Sequence, residues 1–316
     1  MKILVTGFFG ERNFGDEAIL SAIIGNLGEK HRLTLTCGRY PSVSGPRFIT
    51  RRGLSAWPEY LYSLTQNDRV IFSGGILQDW SYEGITFFAL RILAASIFDA
   101  EPSLWGAGLG PIRRLAARRV AAKALSRVKT AWVRDLKSFE LFSELTGRSC
   151  NYGADWSWFF PVRQARQAFG NAPVGVNLRQ WPAGDWQNAV ELQQKHIDRH
   201  VIGLPARPSD RQVIKQYFQG ATLAGLGSFS EAAELCDNLS FAIAMRFHVA
   251  LLVLRAGLPS KLIAYDEKVA SLAAEAGITL LNQNHVADFR VAVPGFVSAN
   301  EARFAVMQAA FKEYFK

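Results

Sequence analysis

The sequence predicts an α/β protein of two Rossmann-like domains facing one another across a cleft, and three observations carry the prediction. Short continuous apolar runs recur along the chain, helical segments separate them in a βαβα order, and the pattern loosens near residue 162 and starts again at Val174. The runs lack polar alternation because parallel strands are buried on both faces. Ligands of such sheets bind beyond the carboxyl ends of the strands, so polar residues that end a strand are candidates for function.

In the first half the predicted strands are Ile3 to Thr6, Leu33 to Thr36, Arg69 to Phe72, Ser103 to Trp105 and Thr130 to Val133, with helices over Glu17 to Leu27, Tyr82 to Phe98, Arg113 to Arg127 and Leu136 to Leu145. A polar segment, Arg163 to Ala172, leads to Pro173 and reads as the boundary. In the second half Val174 to Leu178, His200 to Leu204, Ala221 to Leu226, Phe241 to Ala244 and Lys261 to Tyr265 are strands. Trp186 to Ile197, Asp210 to Phe218, Phe229 to Cys236 and Phe247 to Ala256 are helices. A last helix, Asn300 to Tyr314, has Ser298 or Asn300 as its cap and is expected to cross back over the domain junction. The domains are therefore 1–162, 173–299 and a helix at 300–316.

Apolar residues at 49% and charged residues at 20% describe a folded globular chain. Cys37, Cys150 and Cys236 form no CxxC and have no clustered histidines, which argues against a disulfide framework or a zinc site and for a reducing compartment. The opening Met1-Lys2 runs straight into a strand, so a cytoplasmic protein is expected. The longest apolar stretch, Gly84 to Phe98, covers about 15 residues with Arg91 inside it, short of the roughly 20 a spanning helix needs. Lys and Arg outnumber Asp and Glu by 36 to 27, for a net charge of +9, which favours anionic partners. Much of the excess lies in Arg113, Arg114, Arg118, Arg119, Lys123, Arg127 and Lys129 at helical spacing, as either a solvated face or a surface for anionic lipid at the inner face of a membrane. No nucleic-acid-binding signature is present, and none is expected as a partner.

Glycine-rich loops follow three predicted strands of the first half. Gly7, Gly10 and Gly15 precede the acidic start Asp16-Glu17 of a helix, with a spacing that is not the dinucleotide G-x-G-x-x-G. Here Asn13, Asp16 and Glu17 either cap the helix or meet an acceptor hydroxyl. Gly74-Gly75 leads to Gln78-Asp79, whose carboxylate is expected to line the cleft, and Gly106 to Pro111 forms the third loop. Arg134-Asp135 and Asp155 read as local ion pairs or caps. In the second half, Asn177 and Arg179 end one strand, and Arg246-Phe247-His248 end another. Arginine offers a forked donor for carboxylate or phosphate and histidine moves a proton near neutral pH, so Arg179, Arg246 and His248 suit a multiply charged anion. Arg179 has a second reading, a surface arginine lying over Trp181. His31, His196, His200 and His285 carry no motif.

Taken together, these residues resemble the polysaccharide pyruvyl transferase family over most of the chain. The likeness rests on Asn13-Phe14-Gly15-Asp16-Glu17, Gly74-Gly75 with Gln78-Asp79, Gly106 to Pro111, Arg134-Asp135 with Ser138, Cys236-Asp237, Arg246-Phe247-His248, and Tyr265-Asp266 with Lys268-Val269. Ser73 stands where a third glycine is usual, and Glu267 where proline is usual. The resemblance implies a fold similar to GT-B glycosyltransferases. It also implies transfer of pyruvate from phosphoenolpyruvate to a sugar of a cell-surface polysaccharide, or of its lipid-linked precursor, as a ketal. It places Arg246, Phe247 and His248 at the phosphoenolpyruvate, with Arg179 beside them; Asn177, which ends the same strand as Arg179, is expected to bind substrate on its position alone. Asp16 or Asp79 is then the acceptor of a hydroxyl proton, His248 the acid or the phosphate ligand, and no metal or cofactor is called for. A nucleotide-sugar glycosyltransferase and a non-catalytic sugar-binding module are the alternatives.

Overall fold

The computed structural model describes residues 1–50, 56–165, 171–182, 184–281 and 289–316, so part of the polar boundary segment and His285 lie outside the described residues. The chain divides into two compact units. Residues 1–12, 19–159 and 300–316 form the first, and 13–18 with 160–299 form the second.

The chain order begins with β1 (Lys2–Thr6), α1 (Phe14–Leu27), β2 (Arg32–Cys37), β3 (Arg47–Thr50), α2 (Ala56–Leu64), β4 (Arg69–Ile76), α3 (Tyr82–Ile97), β5 (Glu101–Leu109), α4 (Leu115–Leu125), β6 (Thr130–Val133), α5 (Leu136–Thr146) and β7 (Asn151–Tyr152). These seven strands make one parallel sheet in the order β3-β2-β1-β4-β5-β6-β7. The second unit continues with β8 (Val174–Asn177), α6 (Trp186–Gln194), β9 (Val201–Gly203), α7 (Asp210–Tyr217), β10 (Thr222–Leu223), α8 (Phe229–Cys236), β11 (Phe241–Ala244), α9 (Phe247–Arg255), β12 (Ser260–Leu262) and α10 (Glu267–Glu275). Its sheet is parallel in the order β10-β9-β8-β11-β12. Both orders reverse beside the first strand, between β1 and β4 and between β8 and β11. That reversal opens a crevice at the strand carboxyl ends.

Ile3, Leu4, Val5, Val70, Ile71, Phe72 and Leu104 are fully buried, as expected of strands covered on both faces. A last helix, α11 (Phe296–Tyr314), brings Phe311 edge-on to Trp105 at 5.0 Å and to Trp156 at 4.8 Å in the first unit. It starts earlier than the capping residues suggest: Ser298 lies inside its first turn, with its hydroxyl donating to the Gly295 carbonyl at 3.2 Å.

The glycine loops of the first half are a second difference. Gly74-Gly75 lies within β4 and Gly106 within β5, each where the pairing register shifts, with φ of +77° at Gly74 and +60° at Gly106. Glycine supplies the left-handed backbone that such a bulge requires, and pairing resumes beyond it. The residues expected to leave the sheet therefore stay in it.

Asp135 caps α5 by accepting from the Ser138 amide at 2.8 Å and hydroxyl at 2.7 Å, and Arg134 reaches Asp155 at 2.8 Å with both side chains almost wholly buried. Removing one member leaves the other charge in a low-dielectric interior. Arg134→Ala is expected to lower the unfolding free energy by about 3–5 kcal/mol, read by urea denaturation.

Candidate active site in the second unit

β8 and β11 end side by side at the crevice of the second sheet, with Asn177 opposite Ala244 in the register. Asn177 is wholly buried, and its carboxamide bridges the loops that follow. Its nitrogen donates to the Leu204 carbonyl at 2.8 Å after β9, and its oxygen accepts from the Arg246 amide at 2.8 Å after β11. Asn177 thus positions the site's walls. The sequence reading expected it at the substrate; here both of its polar side-chain atoms are engaged within the protein.

Arg246 takes the position before the first residue of α9. Its guanidinium is not an isolated clamp: Nε donates to Asp210 at 2.6 Å and Nη2 at 2.5 Å, a bidentate pair with Asp210 almost wholly buried. Asp210, the first residue of α7, also accepts from the Ala206 and Arg207 amides, each at 3.1 Å. One carboxylate therefore holds Arg246 and shapes the loop bearing Arg207.

Arg179 follows β8 and lies over two rings, 4.6 Å from the centroid of Trp181 and 4.4 Å from that of Tyr265. Trp181 and Tyr265 meet edge to face at 5.0 Å. Arg179 thus lies over Trp181 as one of its two readings had it, but not as a surface arginine: its Nε is buried without a hydrogen-bond partner. Burial draws the guanidinium below its ordinary value; Tyr265 raises it, while the charges of Arg246 and Arg207 lower it. Burial lifts the Tyr265 phenol and Asp266 adds to the rise, against the pull of Arg179 and Arg246. The positive charges of Arg246 and Arg207 thus both act against the charge of Arg179. An anion among them would relieve that repulsion.

The entry segment joins the same cluster. Sequence order puts residues 13–18 with the first half, yet they pack in the second unit because Phe14 finds its partners there. Its amide donates to the Ala206 carbonyl at 3.0 Å and its ring stacks on Phe229 at 5.4 Å. Asn13 takes the position before α1, its carbonyl accepts from the Glu17 amide at 3.0 Å, and its side-chain nitrogen donates to Asp16. Asp16 is buried and lies 3.8 Å from Arg207. Gly15 is required by what lies against it: a Cβ there would sit 1.8 Å from Nδ1 of His248. His248, in the first turn of α9, is thereby seated on the turn that carries Asp16 and Glu17, with Phe247 edge-on to its ring at 5.2 Å.

Asp79 has a different task. In the first unit its carboxylate accepts from the Arg113 amide at 2.9 Å, the Arg114 amide at 2.7 Å and Nε of Arg114 at 2.5 Å. Burial pushes this carboxyl up, and the Arg114 and Arg113 donors more than offset that and hold it below the usual carboxylate range. A carboxylate so occupied fixes the turn before α4 and is a poor proton acceptor. Arg207 and Asp210 escaped the sequence reading, although Arg207 follows a strand as Arg179 does. Among the described residues no group of His, Cys, Asp and Glu is arranged to hold a metal.

A family model described as polysaccharide pyruvyl transferase matches residues 13–267. No curated protein sequence matches the chain at a significant level. Solved structures resemble it over nearly its whole length. UDP-GlcNAc 2-epimerase from Methanocaldococcus jannaschii has a TM-score of 0.63 at 10% identity, covering 98% of this chain and 99% of that one. MnaA from S. aureus, solved with UDP, has a TM-score of 0.61 at 12% identity, covering 99% and 90%. Anabaena HepE in complex with UDP-glucose has a TM-score of 0.58 at 11% identity, also covering 99% and 90%. Likeness at such identities is one of fold, and the fold is GT-B-like.

The arrangement makes Asp210 the support of two of the three arginines. Asp210→Ala is expected to cost about 3–5 kcal/mol in urea unfolding because Arg246 is left buried without its counter-ion. A loss near that of an exposed pair, under about 1 kcal/mol, would contradict this account.

Proposed function

The chain belongs to the polysaccharide pyruvyl transferase family, and from that premise we propose that it transfers the pyruvyl group of phosphoenolpyruvate to two hydroxyls of one sugar as a cyclic ketal. The observation that carries this reading is the sharing of Asp210 by the Arg246 guanidinium and the Arg207 amide at the strand-end crevice, with His248 seated on Gly15 and Arg179 near enough to feel both charges. Asp210 and Asp16 offset two of the three charges, and the start of α9 adds positive backbone potential. A small, strongly anionic donor fits that balance. Phosphoenolpyruvate has a carboxylate and a phosphate to place, and planar guanidinium groups hold both with defined orientation.

Asp210 occupies two of the five N–H donors of Arg246, which leaves the Nη1 side of the guanidinium for the ligand. Arg179 and Arg207 grip the remaining oxygens, and Phe247 walls the donor. In the reaction the methylene carbon gains a proton and becomes a methyl group, one sugar hydroxyl adds to the neighbouring carbon, and the carbon–oxygen bond to phosphate breaks. A second hydroxyl adds at the same carbon and closes the ketal. Of the two hydroxyl protons, one is balanced by that gained at the methyl group and the other leaves with phosphate. Asp16 is the reading's acceptor for a hydroxyl proton, with Asn13 holding its carboxylate and Glu17 one residue away. His248 serves the donor, as proton source for the methylene carbon or as ligand of the phosphate.

The test is incubation with phosphoenolpyruvate and a panel of saccharides, free and lipid-linked, followed by mass spectrometry for pyruvate addition and by phosphate release. Addition is expected, together with a fall of about a hundredfold or more in turnover for His248→Ala and Arg246→Ala. Normal turnover in both variants removes the assignment. Thermal stabilisation by a UDP-sugar with none by phosphoenolpyruvate favours a nucleotide-sugar glycosyltransferase instead.

A further inference from the structure

α3 and α4 touch along their length and bury their inner sides in the core of the first unit, Phe88, Ala89 and Ile92 from one and Ala117, Ala121 and Leu125 from the other. Their outer sides are unusual in two ways. On α3 the exposed stripe starts at Glu83 and is aliphatic from there on, with Leu90 45% and Ile97 75% exposed at a spacing of two turns; Leu115, the first residue of α4, is 74% exposed. Further along α4 the exposed positions turn cationic: Arg119 and Lys123 follow Leu115 at four-residue spacing, and Arg127 continues the stripe past the helix end. From Arg113 to Lys129 there are seven basic residues and no Asp or Glu.

We propose that this outer face of α3 and α4 docks the protein on an anionic phospholipid bilayer. The chemistry selects the partner. Aliphatic side chains that stand out singly from a helical layer bury themselves at the boundary of headgroups and acyl chains, where no complementary pocket is needed. Asp79 and Glu144 from neighbouring segments pair with Arg114 and Arg118, and the adjoining row of Arg119, Lys123 and Arg127 meets the negative surface potential of such a membrane. No described helix is long and apolar enough to cross a bilayer, so the contact is one of adsorption. The proposal is independent of the donor chemistry above, since its readout is vesicle binding and not turnover.

Sedimentation of the full chain with vesicles made of equal parts phosphatidylcholine and phosphatidylglycerol tests it. Binding is expected to these vesicles and not to phosphatidylcholine alone, and to weaken as salt rises. Arg119→Gln, Lys123→Gln and Arg127→Gln together are expected to lower the partition coefficient about a hundredfold. Ile97→Ser with Leu115→Ser is expected to lower it about tenfold, in the absence of any charge change. Lys195→Gln, Arg211→Gln and Lys312→Gln, exposed positions elsewhere, remove the same charge and should leave binding within a few-fold of wild type. The proposal is overturned if wild-type protein stays in the supernatant, or if this control loses as much as the α4 variant. It is overturned equally if Ile97→Ser with Leu115→Ser abolishes a dimer seen by analytical ultracentrifugation, which would assign the face to a second copy of the chain.

Discussion

The bidentate pair of Arg246 and Asp210 is the contact on which the candidate site depends. A guanidinium and a carboxylate both taken out of water are stable only if their remaining lone pairs and protons are satisfied. Asp210 meets that condition by accepting four hydrogen bonds, two from Arg246 and two from the Ala206 and Arg207 amides. Those amides belong to the loop after β9, so neutralising Arg246 also sets where Arg207 begins. Asn177 completes the frame by fixing the Arg246 amide and the Leu204 carbonyl across neighbouring strands. One ion pair and one amide thus hold three loops at the reversal of strand order. Arg179, lying over two rings, is brought toward the charges it would avoid in water.

The entry segment shows how little sequence is needed to complete such a frame. Phe14 supplies stacking and one backbone hydrogen bond, Gly15 supplies an absent side chain, and Asp16 supplies a charge near Arg207. Any side chain at Gly15 would occupy the space of the His248 imidazole. The acidic turn that follows is unsuited to a pyrophosphate, which likes bare amides at a helix start, and suited to a histidine and an arginine.

Much of this was legible in the sequence and some was not, for identifiable reasons. Continuous apolar runs located strands such as β6 and β11 to the residue, because burial on both faces leaves few other arrangements. Arg246 and His248 stood out because charge at the end of a buried strand is costly unless it is used. β3 and α2 went unread. β3 is a short edge strand with exposed polar ends, and α2 carries Pro58 in its first turn, so neither gives the periodic signal that longer elements do. Asp210 reads from sequence as an ordinary helix start, since its partner lies 36 residues away and no local pattern records it.

Asp79 and Asp210 explain why the same kind of residue at the same kind of place divides into architecture and chemistry. Both carboxylates follow a parallel strand and accept from loop amides, Asp79 from the turn before α4 and Asp210 from the residues just before it in its own loop. Asp79 pairs with Arg114, whose side chain is 42% exposed, so its ion pair faces water and ends as a turn. Asp210 pairs with Arg246, whose side chain is 10% exposed and has two arginines for neighbours, so its ion pair ends as a partly neutralised anion site. The distinction lies in the burial of the pair. An ion pair open to water settles as part of a turn, whereas one taken out of water beside a further buried arginine leaves a field for a ligand to complete.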